Sequence, residues 1–158
     1  MYSIDTNIFI DWWVRRYPPD IFPCVQMRFE QLANSGQFHA PKRVGDEIQH
    51  IGPPDLKAWA KQNSSIFLPH DQIIQKEANE ILKQFPGFID PNAIHDEADR
   101  YVIALAKVRG FTVVTHETAA RLKRNPNRRS HYIPDVCAEL HVNCIELLEL
   151  MRRERWVF

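Results

Sequence analysis

The sequence predicts an α/β fold in which helices cover both faces of a short sheet. Short apolar runs alternate with longer segments whose apolar residues recur at helical spacing. Prolines at 18, 19, 23, 41, 53, 54, 69, 86, 91, 126 and 134 cut the chain into short segments, as such an alternation needs. The run Phe111-Thr112-Val113-Val114-Thr115 is β-branched and apolar without alternation, the pattern of a strand buried on both faces.

Element by element, Tyr2-Ser3-Ile4 is a very short strand that runs straight into Asp5-Thr6-Asn7, a good helix N-cap, and Ile8 to Arg16 reads as a helix. Trp12 and Trp13 are adjacent there and cannot both face one core, so one is expected exposed or against a partner or neighbouring helix. Asp20 to Asn34 follows as a helix stopped by Asn34-Ser35-Gly36, with Phe38-His39-Ala40 as a second strand. Pro41 opens a helix carrying Val44, Glu47 and Ile48; Asp55 to Lys61 is helical, and Ile66-Phe67-Leu68 is strand-like. Asp71 caps a long helix through Phe85, with Ile74, Ala78, Ile81 and Leu82 on one face. Ala98, Tyr101, Val102, Leu105, Ala106 and Val108 trace a helical stripe ended by Gly110, ahead of the buried strand. Asp135 to Leu140, a strand near Val142 to Cys144 and a helix from Ile145 to Arg155 close the chain.

The 158 residues suit one domain, 1–158, and the 44% hydrophobic and 25% charged fractions are those of an ordinary globular protein. The longest apolar run, Tyr101 to Ala106, is far short of a membrane span, and no basic region precedes the first apolar stretch. A cytoplasmic location is therefore expected. Twenty basic and twenty acidic side chains cancel, which excludes a protein that grips nucleic acid by overall field while leaving room for a local patch. Cys24, Cys137 and Cys144 form no CxxC pair and read as reduced thiols. Cys137, His141 and Cys144 lack a fourth ligand at sensible spacing, so core sulfurs are expected there, not zinc ligands. No Gly-rich loop follows a strand, which disfavours a nucleotide-binding domain.

Side chains just past the carboxyl ends of strands in such a sheet converge on a crevice. Asp5 follows the first strand and Glu117 follows Val113-Val114 across Thr115-His116, while Asp99 and Glu47 lie in first turns of helices. Asp96 shares the face of Asp99. Taken singly, each acid also reads as a cap for free backbone N–H groups. Taken together, carboxylates at strand ends raise one another's pKa unless a cation lies between them, and a hard divalent ion such as Mg²⁺ or Mn²⁺ takes carboxylate oxygens. Arg121, Lys123, Arg124, Arg128, Arg129 and His131 form a basic stretch just after Glu117, either a solvated loop or a strip that contacts phosphate. Tyr132 beside it reads as core or as a base-stacking ring, and Arg15, Arg16 and the Arg152 to Arg155 tail as solvent faces.

The opening Tyr2-Ser3-Ile4-Asp5-Thr6-Asn7-Ile8-Phe9-Ile10 resembles the start of PIN domains, the nuclease fold of VapC-type toxins. Ala98-Asp99-Arg100-Tyr101-Val102-Ile103-Ala104-Leu105-Ala106 and Gly110-Phe111-Thr112-Val113-Val114-Thr115-His116-Glu117 resemble that family's acid-bearing helix, strand and final acid, and Glu47 matches its middle acid. The tail Ile133-Pro134-Asp135-Val136-Cys137 resembles an uncharacterised PIN-like branch of unknown function. One departure stands out: the last acid, usually Asp in the family, is Glu117.

The resemblance implies a three-layer α/β/α sandwich with a short, mostly parallel central sheet and a Mg²⁺- or Mn²⁺-dependent endoribonuclease. The catalytic acids would be Asp5, Glu47, Asp99 and Glu117, with Asp5, Asp99 and Glu117 on the metal. Thr6, Asn7, Asp96 and Thr115 would support them; His116, either a substrate contact or a turn cap, and Arg121, Lys123, Arg124, Arg128 and Arg129 would face RNA. It further implies the toxin of a toxin–antitoxin pair, an antitoxin partner and a homodimer. A non-catalytic binding or scaffold module that keeps the fold is the alternative.

Overall fold

A computed structural model describes residues 1–88, 98–123 and 129–158. Within these residues five parallel strands, β1 (Tyr2–Ile4), β2 (Phe38–Pro41), β3 (Phe67–Leu68), β4 (Thr112–Val114) and β5 (Cys144–Ile145), form one sheet in the order β3-β2-β1-β4-β5. Every described pairing is parallel, so the sheet is fully and not merely mostly so. Among the described residues eight α-helices connect and cover it: α1 (Thr6–Ile10), α2 (Pro23–Asn34), α3 (Lys42–Ile51), α4 (Pro54–Gln62), α5 (Gln72–Gln84), α6 (Asp99–Arg109), α7 (Ile133–Glu139) and α8 (Leu147–Arg153). The architecture is the three-layer, PIN-like α/β/α sandwich. Among the described residues no helix is long and apolar enough to cross a membrane.

Helices α5 and α7 pack on α6, which lies against β1, β2 and β4. The α6 stripe is buried without interruption from Tyr101 to Ala106, because this helix is walled in on several sides. Gly110 ends it at φ +69°, a left-handed conformation that glycine adopts without Cβ strain, and the next N–H, of Phe111, returns to Ala106 O at 2.9 Å. The opposite layer is aromatic. Phe9 of α1 meets Phe38, Trp59 and Phe67 at ring-centroid distances of 5.6, 6.1 and 5.9 Å, and Trp12 stacks on Phe29 at 3.9 Å. Trp156, after α8, joins Phe29 edge-on at 5.0 Å.

One local expectation changes in the first helix. The first helix is regular only to Ile10 and continues as a wider π-helical stretch over Asp11–Arg16. Both tryptophans are buried, Trp12 at 0% and Trp13 at 7% exposure, so of the alternatives for this pair the one that holds is packing against a neighbouring helix. The widened turn rotates Trp13 onto α4, where its indole N–H donates to Asp55 Oδ2 at 2.6 Å. Helix α3 lies close to β3: a Cβ on Gly45 would sit 3.1 Å from the Phe67 ring, so the missing side chain sets that spacing.

The aromatic layer anchors α1, and α1 carries the first acid. Replacing the fully buried Phe9 by alanine is expected to cost about 3–5 kcal/mol, the usual penalty for emptying an aromatic site, read as a lower denaturant midpoint in equilibrium unfolding.

Candidate active site

The strand order reverses beside β1: the chain runs β1, β2, β3 toward one edge, then returns to place β4 on the other side of β1. Such a reversal opens a crevice at the carboxyl ends of the two central strands. Register closes the distance there, because Ile4 pairs with Val114 and the Asp5 N–H donates to Val114 O at 3.0 Å. The residues that follow, Asp5 on β1 and Thr115 on β4, therefore stand side by side.

Asp5 occupies the N-cap position of α1, yet its side chain makes no capping bond. Its carboxylate, 3% exposed as a residue, accepts instead from Thr115 Oγ1 at 2.7 Å. That hydroxyl in turn accepts from Asn7 Nδ2 at 3.2 Å and from the Glu117 N–H at 3.0 Å, so its one proton is directed to Asp5. Asn7 Oδ1 completes the turn by accepting from the His116 N–H at 3.0 Å. Thr115 and Asn7 thus lock the two strand ends together around Asp5.

The other acids arrive from three further segments. Glu47, on α3, has one carboxylate oxygen on the Thr6 hydroxyl and the other on the Ala98 N–H at 2.9 Å. Asp99 begins α6, and its Oδ2 accepts from Arg129 Nη1 at 3.1 Å. Glu117 Oε2 accepts from the Ile133 N–H at the start of α7, 2.9 Å away. All four line one cavity of about 580 Å³, together with Thr6, Asn7, Arg15, Arg43, His50 and Arg129 among others.

Burial and mutual repulsion dominate the electrostatics. Asp5 is pushed well above its ordinary range by burial first, then by Asp99, with Glu117 and Glu47 adding and the Thr115 hydroxyl opposing. Burial also raises Glu47, against the bonds from Thr6 and Ala98, and raises Asp99, against the Arg129 charge. Glu117 is pushed up to about 7, by burial first and Asp99 second. A cluster of oxygen donors short of positive charge is the donor set that a hard divalent cation satisfies, so the residues present fit Mg²⁺ or Mn²⁺. Among the described residues, however, no three acidic, His or Cys groups already surround one point. The bonds just described explain this, since each acid faces the cavity while one or both of its oxygens turn to an internal partner.

The remaining expected site residues separate. The His116 ring faces Asp11, with Nε2 3.6 Å from Oδ2, and burial, aided by Arg16, holds its pKa below the usual range. Arg121 is exposed, and Lys123 lies over the Tyr132 ring, 3.2 Å from its centroid, which leaves Tyr132 buried. Asp96, Arg124 and Arg128 lie outside the described residues. His141 is exposed and joins no metal-binding group among the described residues.

Among the cavity-wall residues outside the set expected from sequence are Arg15, Arg43 and His50. Arg43 and His50 stand four before and three after Glu47 on α3, so helical spacing puts them on the face of the assigned acid. Arg15 was expected on a solvent face; it also lines the cavity, held at 2.9 Å by the buried Asp11.

The raised acids predict a pH dependence. A carboxyl whose folded pKa lies above its unfolded value keeps its proton longer when folded, so stability is lost as pH rises between the two values. For Glu117 that window runs from 4.5 to about 7. The melting temperature of chelator-treated protein is expected to fall across it. Glu117→Gln should flatten that fall and raise the melting temperature above the window, by an amount on the order of 3 kcal/mol in stability.

The comparisons with known proteins give a fold and a family. A chain of the crystal structure of FitAcB from Neisseria gonorrhoeae superposes with a TM-score of 0.52, covering 92% of this chain and 96% of that one at 17% identity. At that identity the likeness speaks for the fold alone. No curated protein matches the chain. The family described as Domain of unknown function (DUF4411) matches residues 2–158. With nearly its whole length so covered, the chain belongs to the DUF4411 family.

Proposed function

We propose that the chain is a divalent-metal-dependent endoribonuclease that hydrolyses RNA phosphodiester bonds, and that it serves as the toxin of a toxin–antitoxin pair. One observation carries the reading: four carboxylates from four separate segments share a single cavity whose wall also holds Arg15, Arg43 and Arg129. An acidic floor with a basic wall suits a polyanionic substrate cut with the help of a bound cation.

Asp5, Asp99 and Glu117 would hold the ion, Mg²⁺ or Mn²⁺. When bound, the ion lowers the pKa of a coordinated water and offsets negative charge on the scissile phosphate. The chain's own groups do the rest. Thr115 and Asn7 fix the Asp5 carboxylate in one orientation. Thr6 and the Ala98 N–H fix Glu47, whose burial-raised pKa fits it to orient the attacking water and take up its proton. Glu117 is one methylene longer than the usual Asp, and its bond to the Ile133 N–H sets where that extra reach ends. Arg43 and Arg15 offer forked donors to flanking phosphates. An antitoxin partner and a homodimer belong to the same reading; the exposed Val14, Ile21, Phe22 and Met27 around the start of α2 supply apolar surface for protein contacts.

A non-catalytic scaffold that keeps the fold is the second reading. It is favoured by the fact that each acid already has an internal partner. Incubation of purified protein with single-stranded RNA and Mn²⁺ separates the two. The nuclease is expected to cut RNA, to stop with chelator, and to lose at least about 100-fold of its rate in Asp5→Asn or Asp99→Asn. Cleavage undiminished in both variants excludes this cavity, and no cleavage by the wild type with either metal favours the scaffold.

A further inference from the structure

Arg129 is the side chain that stands where charge compensation is needed. Its Nη1 lies 3.1 Å from Asp99 Oδ2, with the two side chains only 13% and 19% exposed. An ion pair so little exposed is weakly screened by water, and neither partner gives it up without a replacement. The same guanidinium lines the cavity and lowers the pKa of both Asp99 and Glu117 against their burial. Its position relative to Asp99 also accounts for the absence, among the described residues, of a preformed three-donor group: one oxygen of Asp99 is already engaged.

A divalent ion and a guanidinium compete for that carboxylate. The ion needs the Asp99 oxygen, and its two positive charges repel an arginine kept at the same place. Displacement does not send Arg129 far, because it remains a cavity residue beside a wall that already carries Arg15 and Arg43. A guanidinium released from a carboxylate finds in the two non-bridging oxygens of a phosphodiester another anionic pair that its fork can bind.

We propose that Arg129 is an internal counter-cation which guards Asp99 in the metal-free chain, is displaced when the divalent ion enters, and then binds the phosphate of the RNA substrate. The inference rests on the metal-nuclease reading and assigns the order of events at that site. Metal loading and substrate binding are thereby coupled through one side chain, so RNA is gripped fully only by the loaded protein.

Calorimetric titration of chelator-treated full-length protein with Mn²⁺ alone, at about pH 8, above the value of about 7 to which Glu117 is pushed, tests it without any RNA. Arg129→Gln is expected to bind Mn²⁺ about tenfold more tightly than the wild type. Arg129→Lys, which keeps the charge, is expected to stay near the wild-type affinity, so a packing defect is told apart from charge competition. Arg121→Gln loses the same net charge from an exposed position and is expected to change Mn²⁺ affinity less than about twofold. A second readout uses an uncleavable 2′-O-methyl oligoribonucleotide: Mn²⁺ should raise its affinity for the wild type about tenfold and for Arg129→Gln far less. Equal or weaker Mn²⁺ binding by Arg129→Gln overturns the guard role while leaving the metal site standing. No Mn²⁺ binding by any of these proteins overturns the metal-nuclease reading and this inference with it.

Discussion

The pairing of β1 with β4 is the constraint on which the site depends. These strands are far apart in sequence, and their parallel register places Ile4 against Val114. Because the next residue on each strand is polar, the register delivers a buried carboxylate and a hydroxyl to the same point, and the 2.7 Å bond from Thr115 to Asp5 is the result. A slip of one residue would turn the side chains of β1 to the opposite faces and send Asp5 into an apolar layer. The buried stripe of α6 packs directly on β1, β2 and β4, while the aromatic packing of α1 seats Phe9 against Phe38 of the neighbouring β2.

Four carboxylates gathered in one cavity, with burial raising the pKa of each, oppose folding unless something compensates them. The compensation is local and specific: a hydroxyl for Asp5, a hydroxyl and an amide for Glu47, an amide for Glu117 and a guanidinium for Asp99. None of these partners cancels the burial of its acid, because all four carboxyls remain raised. The cavity is therefore stable enough to form and still short of positive charge, a condition suited to cation binding and costly for anything else.

Much of this was legible in the sequence. The positions of Asp5 and Glu117 just past short apolar strands and of Asp99 and Glu47 on helices were readable directly, while their selection as one group over the capping alternative came from the resemblance to PIN domains. The same logic stops where local geometry departs from the regular helix. Trp13 is buried because the turn after Ile10 widens, and no residue pattern in Asp11–Arg16 announces that widening. Arg43 and His50 were within reach once Glu47 was assigned, by spacing alone. The contact of Arg129 with Asp99 spans 30 positions and carries no periodic signal, so only the folded chain reveals it. The cap reading of Asp5 fails for a comparable reason: a tertiary hydroxyl outcompetes the helix's own amides.

The bare Cα of Gly45 has a reach beyond its own contact. Since nothing but hydrogen separates that turn of α3 from the Phe67 ring, the helix rests as deep on β3 as backbone allows. Glu47 sits two residues further on the same rigid rod, so the depth of that seat fixes how far its carboxylate projects toward Thr6 and Ala98. A methyl group at position 45 would act as a shim, lifting the rod and withdrawing the acid by tenths of an ångström. The fine adjustment of this cavity is thus made from outside it, at a residue that has no side chain to offer.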